Sequence, residues 1–136
     1  MMREPYTQLY IHVVWSTWDR HPILAEDLKR PVFACIKAEC DKLGATLIAI
    51  GGPADHVHVL VRIPTTVSVA ALVKQLKGSS SHLVNHCLGR EARFQWQEGY
   101  GAFTVSKSVG PAVRAYIQKQ EEHHRLGTTE KDLEAC

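Results

Sequence analysis

Two short stretches carry residue types that can do chemistry together. His56-Val57-His58 opens an apolar run that continues to Val61, and Tyr116-Ile117-Gln118-Lys119-Gln120 stands nearer the C-terminus. A β-strand sends alternate side chains to opposite faces, so both imidazoles project from one side and Val57, Val59 and Val61 from the other. On a helix, residues four apart share a face, which pairs Tyr116 with Gln120. Two imidazoles leave open positions on a divalent ion, an arrangement that suits catalysis better than structure. An amide oxygen from Gln120 adds a neutral donor, and such a set fits Mg²⁺ or Mn²⁺ better than a thiolate metal. The ion would polarise a phosphodiester. Tyrosine, a weak nucleophile at its ordinary pKa of about 10, needs a phosphate activated in this way. The chemistry implied is cutting of a nucleic acid through a phosphotyrosine intermediate. That bond conserves phosphodiester energy, so the product can be rejoined without ATP.

The elements that must position these groups follow from periodicity. Residues 9–15 are apolar and β-branched, a strand with Ile11, Val13 and Trp15 on one face, and a turn follows over 17–22. Leu28, Val32, Ile36, Glu39/Cys40 and Leu43 keep helical spacing from about Asp27, with Pro31 in the first turn and Gly44 as the C-cap. Residues 45–50 read as a second strand, joined tightly through Gly51-Gly52-Pro53 to a third over His56–Ile63. Ser68 is the expected N-cap of a second helix. Its buried stripe is Val69, Leu72, Val73, Leu76, Leu83, Val84 and Cys87, closed by Gly89. Gly78-Ser79-Ser80-Ser81 marks either a break there or the close approach of another backbone. Residues 89–101 form a loop and 103–106 a short fourth strand; Pro111 opens a last helix reaching about Arg125. The class is α+β. The first six elements predict a ferredoxin-like (RRM-like) antiparallel sheet with helices on one face, followed by a C-terminal helix carrying Tyr116. RNA-recognition modules share that arrangement, so side chains rather than fold must separate catalyst from binder.

A chain of 136 residues predicts one domain over 1–136, with a core at about 6–125 and a polar tail over 128–136. Apolar content of 45% and charged content of 22% are ordinary for a soluble globular protein. The net charge of +2 permits a nucleic-acid partner without requiring one. Four cysteines without zinc-ribbon spacing read as reduced thiols in a cytoplasmic protein. Residues 1–5 lack the apolar segment of a secretion signal, and no apolar run is long enough to span a membrane.

Asp55-His56-Val57-His58-Val59-Leu60-Val61 resembles the His-hydrophobe-His (HUH) motif of bacterial insertion-sequence transposases with a single catalytic tyrosine, a group that includes the REP-associated tyrosine transposases. Tyr116-Ile117-Gln118-Lys119-Gln120 looks like their catalytic helix. His12-Val13-Val14-Trp15-Ser16-Thr17 and Leu76-Lys77-Gly78-Ser79-Ser80 add to the likeness, which covers residues 6–125. The resemblance implies a homodimer with a ferredoxin-like core that cuts single-stranded DNA beside imperfect hairpins at the ends of a mobile element. A 5′-phosphotyrosine link forms in the process. Carried over, His56, His58 and Gln120 are metal ligands and Tyr116 is the nucleophile. In several members the tyrosine helix of one subunit completes the histidine pair of the other, whereas the REP-associated proteins are often monomeric.

Other residues have two readings each. Arg20, Lys74, Lys77, Arg90 and Arg93 are candidate phosphate contacts, and Trp96 or Tyr100 a stacking platform for a base. The alternatives are solvated cations and a core tryptophan. His123 and His124 lie on nearly the Tyr116 face, where a proton-shuttling role competes with solvated last-turn histidines. His82 and His86 have the spacing of a zinc helix, but Leu83 stands where the protease motif needs glutamate. His12 reads as a structural histidine near the active-site side of the sheet. A histidine-triad hydrolase needs a third histidine where Leu60 stands, and a two-histidine phosphodiesterase needs separated His-x-Ser/Thr pairs that are missing. Replication initiators and relaxases share the HUH chemistry on larger chains. The remaining rival is a non-catalytic or domesticated nucleic-acid binder that keeps the fold.

Overall fold

The computed structural model describes residues 6–88 and 93–119. The elements in order are β1 (Leu9–Ser16), α1 (Glu26–Lys42), β2 (Thr46–Gly51), β3 (His56–Ile63), α2 (Val69–His82), β4 (Gly101–Val105) and α3 (Gly110–Gln118). The strands pair antiparallel in the order β2-β3-β1-β4. This is the ferredoxin-like α+β arrangement expected from the element order.

The pleat of the central strands divides the molecule into two layers. Val57, Val59, Val61 and Ile63 of β3 join Ile11, Val13 and Trp15 of β1 on one face. Against them pack Leu28, Val32, Ile36 and Cys40 of α1 and Leu72, Val73 and Leu76 of α2. Burying such side chains contributes about 1.5–3 kcal/mol each, which makes this layer the main source of stability. The opposite face carries Ala49 and Leu60, covered by Val113 and Ile117 of α3. The third helix therefore sits across the sheet from the other two, and β3 is buried on both faces except at Arg62.

Several boundaries follow from local chemistry. Ser68 caps α2 by accepting a hydrogen bond from the Ala71 amide at 3.1 Å. The Gly78–Ser81 stretch does not break α2. Ser80 turns its hydroxyl back to the Leu76 carbonyl (2.6 Å) and accepts from the Trp96 indole (2.9 Å), so small residues here admit the Trp96 ring. The irregularity falls later, as a π-helical turn over Leu83–Cys87. Strand β4 starts two residues before the expected Phe103, because Gly101 pairs with Val14 and Ala102 with Val13. One residue is inserted in β2: Leu47 faces Val61 while Ala49 faces Leu60, leaving Ile48 as a β-bulge. Among the described residues no helix is long and apolar enough to cross a membrane. Cys35, Cys40 and Cys87 are free thiols, and burial pushes Cys40 up to about 11, which keeps it unreactive.

Glu39 ties the two core helices together. Its buried carboxylate accepts from Gln75 Nε2 of α2 at 2.6 Å and from Lys42 Nζ at 3.1 Å. The Gln75 bond, with that of Lys42, holds the carboxyl below its ordinary range against the opposing effect of burial. A lowered folded-state pKa stabilises above the unfolded value of about 4.3 and is lost as pH falls through the folded one. Glu39→Gln should therefore lose stability at pH 7. In urea denaturation its deficit relative to wild type should shrink steadily below about pH 4.

Candidate active site

His56 and His58 leave β3 on the α3 side, with ring centroids 5.0 Å apart and planes at 68°. Alternation across the strand puts them there, and α3 roofs them. Tyr116 is buried beneath that helix with its ring edge-on to His58 at 6.1 Å. The structure thus brings together three of the four residues expected to act: His56, His58 and Tyr116. The fourth, Gln120, lies outside the described residues, as do Arg90, His123 and His124.

Close approach of α3 depends on glycine at the end of β2. A Cβ on Gly51 would lie 2.4 Å from the Ile117 carbonyl oxygen, and one on Gly52 2.3 Å from the His56 carbonyl oxygen. Gly51 pairs with His58 across the ladder. The absence of a side chain there lets the tyrosine helix settle directly over the histidine pair.

Each histidine has a partner at Nδ1. His56 Nδ1 donates to Asp55 Oδ1 at 2.7 Å. His58 Nδ1 lies 2.9 Å from His12 Nε2, and the two rings stack at 5.1 Å. Arg20 reaches the same cluster: its guanidinium stands 3.4 Å from His56 Nδ1 and 3.6 Å from Asp55 Oδ2, with half of the side chain exposed. The backbone pays a strain to deliver it. Asp19 and Arg20 both adopt left-handed conformations, at φ 51° and 52°, costing on the order of 1–3 kcal/mol each. The turn is held by Asp19 N donating to Gln97 Oε1 (2.9 Å) and Arg20 N donating to Thr17 O (3.0 Å).

The donor chemistry fits a divalent ion. Two imidazoles share one face, and an imidazole that donates its Nδ1 proton to a partner presents Nε2 as a ligand atom. Among the described residues no third His, Cys, Asp or Glu joins them in a metal-holding group.

The other candidate contacts distribute differently. Lys77 and Arg93 line one cavity of about 260 Å³ with Ser81 and Asn85. The Lys77 ammonium already donates to the carbonyls of Gln97 (2.6 Å) and Gly99 (3.1 Å). Lys74 and Tyr100 are exposed. Trp96 is not a stacking platform. It is buried in the core, edge-on to Trp15 at 5.8 Å and to Phe94 at 4.7 Å. His82 and His86 lie side by side, 4.6 Å between centroids, without a third ligand among the described residues. A second cavity, about 250 Å³, opens between α3 and the sheet beside Tyr10 and Leu60, with Lys107 and Arg114 on its lining. Leu60 follows His58 on the same face of β3, but neither His56 nor His58 lines this cavity. Asp55 and His12 were not assigned to the site from sequence. Adjacency to His56 signalled the first, and the strand parity of residue 12 the second.

An antiparallel ferredoxin-like sheet with a histidine pair on one face and a tyrosine helix docked over it defines an HUH-type protein with one tyrosine. The chain matches the family described as "Transposase IS200 like" over residues 5–120, and it belongs to that family. It is 28% identical over 122 residues to the transposase for insertion sequence element IS200 of Salmonella typhimurium, covering 85% of this chain and 79% of that protein. The Salmonella typhi transposase for the same element matches equally. A solved putative transposase from Deinococcus radiodurans has a TM-score of 0.68 at 24% identity, over 88% of this chain and 96% of its own. A REP-associated tyrosine transposase, solved bound to a REP hairpin, has a TM-score of 0.66 at 13% identity, over 95% and 75%. These last two likenesses are of fold.

The Gly51 contact makes a specific forecast. Gly51→Ala should displace the C-terminal turn of α3 and cost about 1–3 kcal/mol. Hydrogen exchange should accelerate in α3 amides well before those of β1 and β3; uniform acceleration would place the strain in the sheet instead.

Proposed function

We propose that this protein is a transposase that cleaves and rejoins single-stranded DNA through a 5′-phosphotyrosine intermediate with Mg²⁺ or Mn²⁺. The observation that carries the reading is the Tyr116 ring lying against His58 on the face that also holds His56. His56, His58 and Gln120 would hold the ion. When bound it supplies positive charge to the scissile phosphate.

The chain's own groups do the rest. Tyr116 Oη loses its proton to solvent and forms a bond to phosphorus. The bond from phosphorus to the 3′ oxygen breaks, and that oxygen leaves as a hydroxyl after taking a proton. Attack by a 3′-hydroxyl on the phosphotyrosine reverses the step and joins strands. Arg20, half exposed beside Asp55 and His56, can meet a non-bridging phosphate oxygen. Lys107 and Arg114 can neutralise the neighbouring backbone, with Lys74 and Arg93 as outlying contacts. Family membership and the hairpin held by the REP-associated relative favour hairpin-flanked DNA ends as the substrate. A homodimer is part of the same proposal.

A denaturing gel with labelled single-stranded DNA from the flanks of the element tests the reading. Wild type with Mn²⁺ should give a covalent adduct, and Tyr116→Phe none. An adduct persisting in Tyr116→Phe would move the nucleophile elsewhere; binding without any adduct, over both metals and both strands, would favour a non-catalytic binder. Gln120→Ala should weaken Mn²⁺ affinity while DNA binding stays intact. Loss of both together would make Gln120 structural.

A further inference from the structure

A neutral imidazole carries one N–H and one lone pair, so the 2.9 Å contact between His12 Nε2 and His58 Nδ1 contains a single proton whose owner matters. If His12 donated it, the His58 Nδ1 lone pair would be used up and the His58 proton would sit on Nε2. Neither nitrogen of His58 could then bind a cation. If His58 donates, its lone pair falls on Nε2, and His12 keeps its own proton on Nδ1. Only the second arrangement makes a ligand of His58.

We propose that His12 is a positioning residue that accepts the His58 Nδ1 proton and so fixes His58 in its metal-binding tautomer and ring orientation. The inference rests on the reading of His58 as a metal ligand. Asp55 stands in the same relation to His56, at 2.7 Å. The two ligand histidines thus have unlike supports, a carboxylate for one and a neutral imidazole for the other. Strand register explains how the second arises. His58 lies opposite Val14, and His12 is the diagonal neighbour two residues along β1, within reach of a long side chain. Both imidazoles are fully buried, and the near-parallel stack (21° between planes), with Phe103 6.1 Å from His12, restricts ring rotation. Loss of such an outer partner typically weakens metal binding ten- to a hundredfold.

The test uses the full chain, first without metal. Long-range ¹H–¹⁵N NMR of the imidazoles, with the His58 signals identified by their loss in His58→Gln, should place the His58 proton on Nδ1. In His12→Leu it should move wholly or partly to Nε2, and Mn²⁺ alone, titrated by calorimetry, should bind about ten- to a hundredfold more weakly. His12→Gln, whose amide oxygen can accept in place of Nε2, should recover both properties. A wild-type His58 proton on Nε2 would overturn the role of His12, whether or not His12→Leu folds. An unchanged Mn²⁺ affinity in folded His12→Leu would overturn it as well. Absence of Mn²⁺ binding by wild type would instead sink the metal reading, a failure that the metal-free spectrum keeps separate.

Discussion

The pleat of β3 forces one segment to serve two incompatible environments. Its valines and Ile63 must enter the apolar layer under α1 and α2, and the same alternation obliges His56 and His58 to point the other way. Left in water, that second face would give two solvated imidazoles with no fixed geometry. Covered by α3, it becomes a buried face on which polar groups must find partners, because an unbonded buried group costs several kcal/mol. Asp55, His12 and Arg20 gather around the imidazoles under this constraint. A helix laid on the sheet for its apolar residues Val113 and Ile117 thereby carries Tyr116 to the histidines. Docking of α3 and assembly of the histidine–tyrosine cluster are the same event.

How much of this could be read in the residues depends on the range of the interaction. Strand β3 runs over the span its alternation indicated, and Ser68 caps α2 where its side chain and position imply, because both are local. The small-residue stretch at Gly78–Ser81 had two readings, and only the packing of Trp96 on Ser80 decides between them. The position of Arg20 is of another kind. Nothing near residue 20 announces left-handed backbone at two consecutive non-glycine positions, since Gln97, remote in the chain, helps to hold that turn. Likewise His12 meets His58 only once the register of β1 on β3 is set, and register is a property of the pair rather than of either strand. Histidine identity and spacing mark a site, whereas its supporting partners are assembled by long-range pairing.

The inserted Ile48 has an effect out of proportion to its size. Before it, Leu47 faces the same way as Val61; after it, Ala49 and Gly51 face the way of Leu60 and His58. Strand β2 is in effect two half-strands of opposite phase: Leu47 and Ile50 join the α1–α2 layer, while the consecutive Ile48 and Ala49 both face α3. Without the bulge, continued alternation from Leu47 would turn position 51 toward the α1–α2 layer, and Ile50 would stand beneath α3 in its place. The parity of one short edge strand therefore determines whether the tyrosine helix meets a bare backbone or a branched side chain. Along this stretch, losing a single residue would not shorten the strand so much as turn its far end inside out.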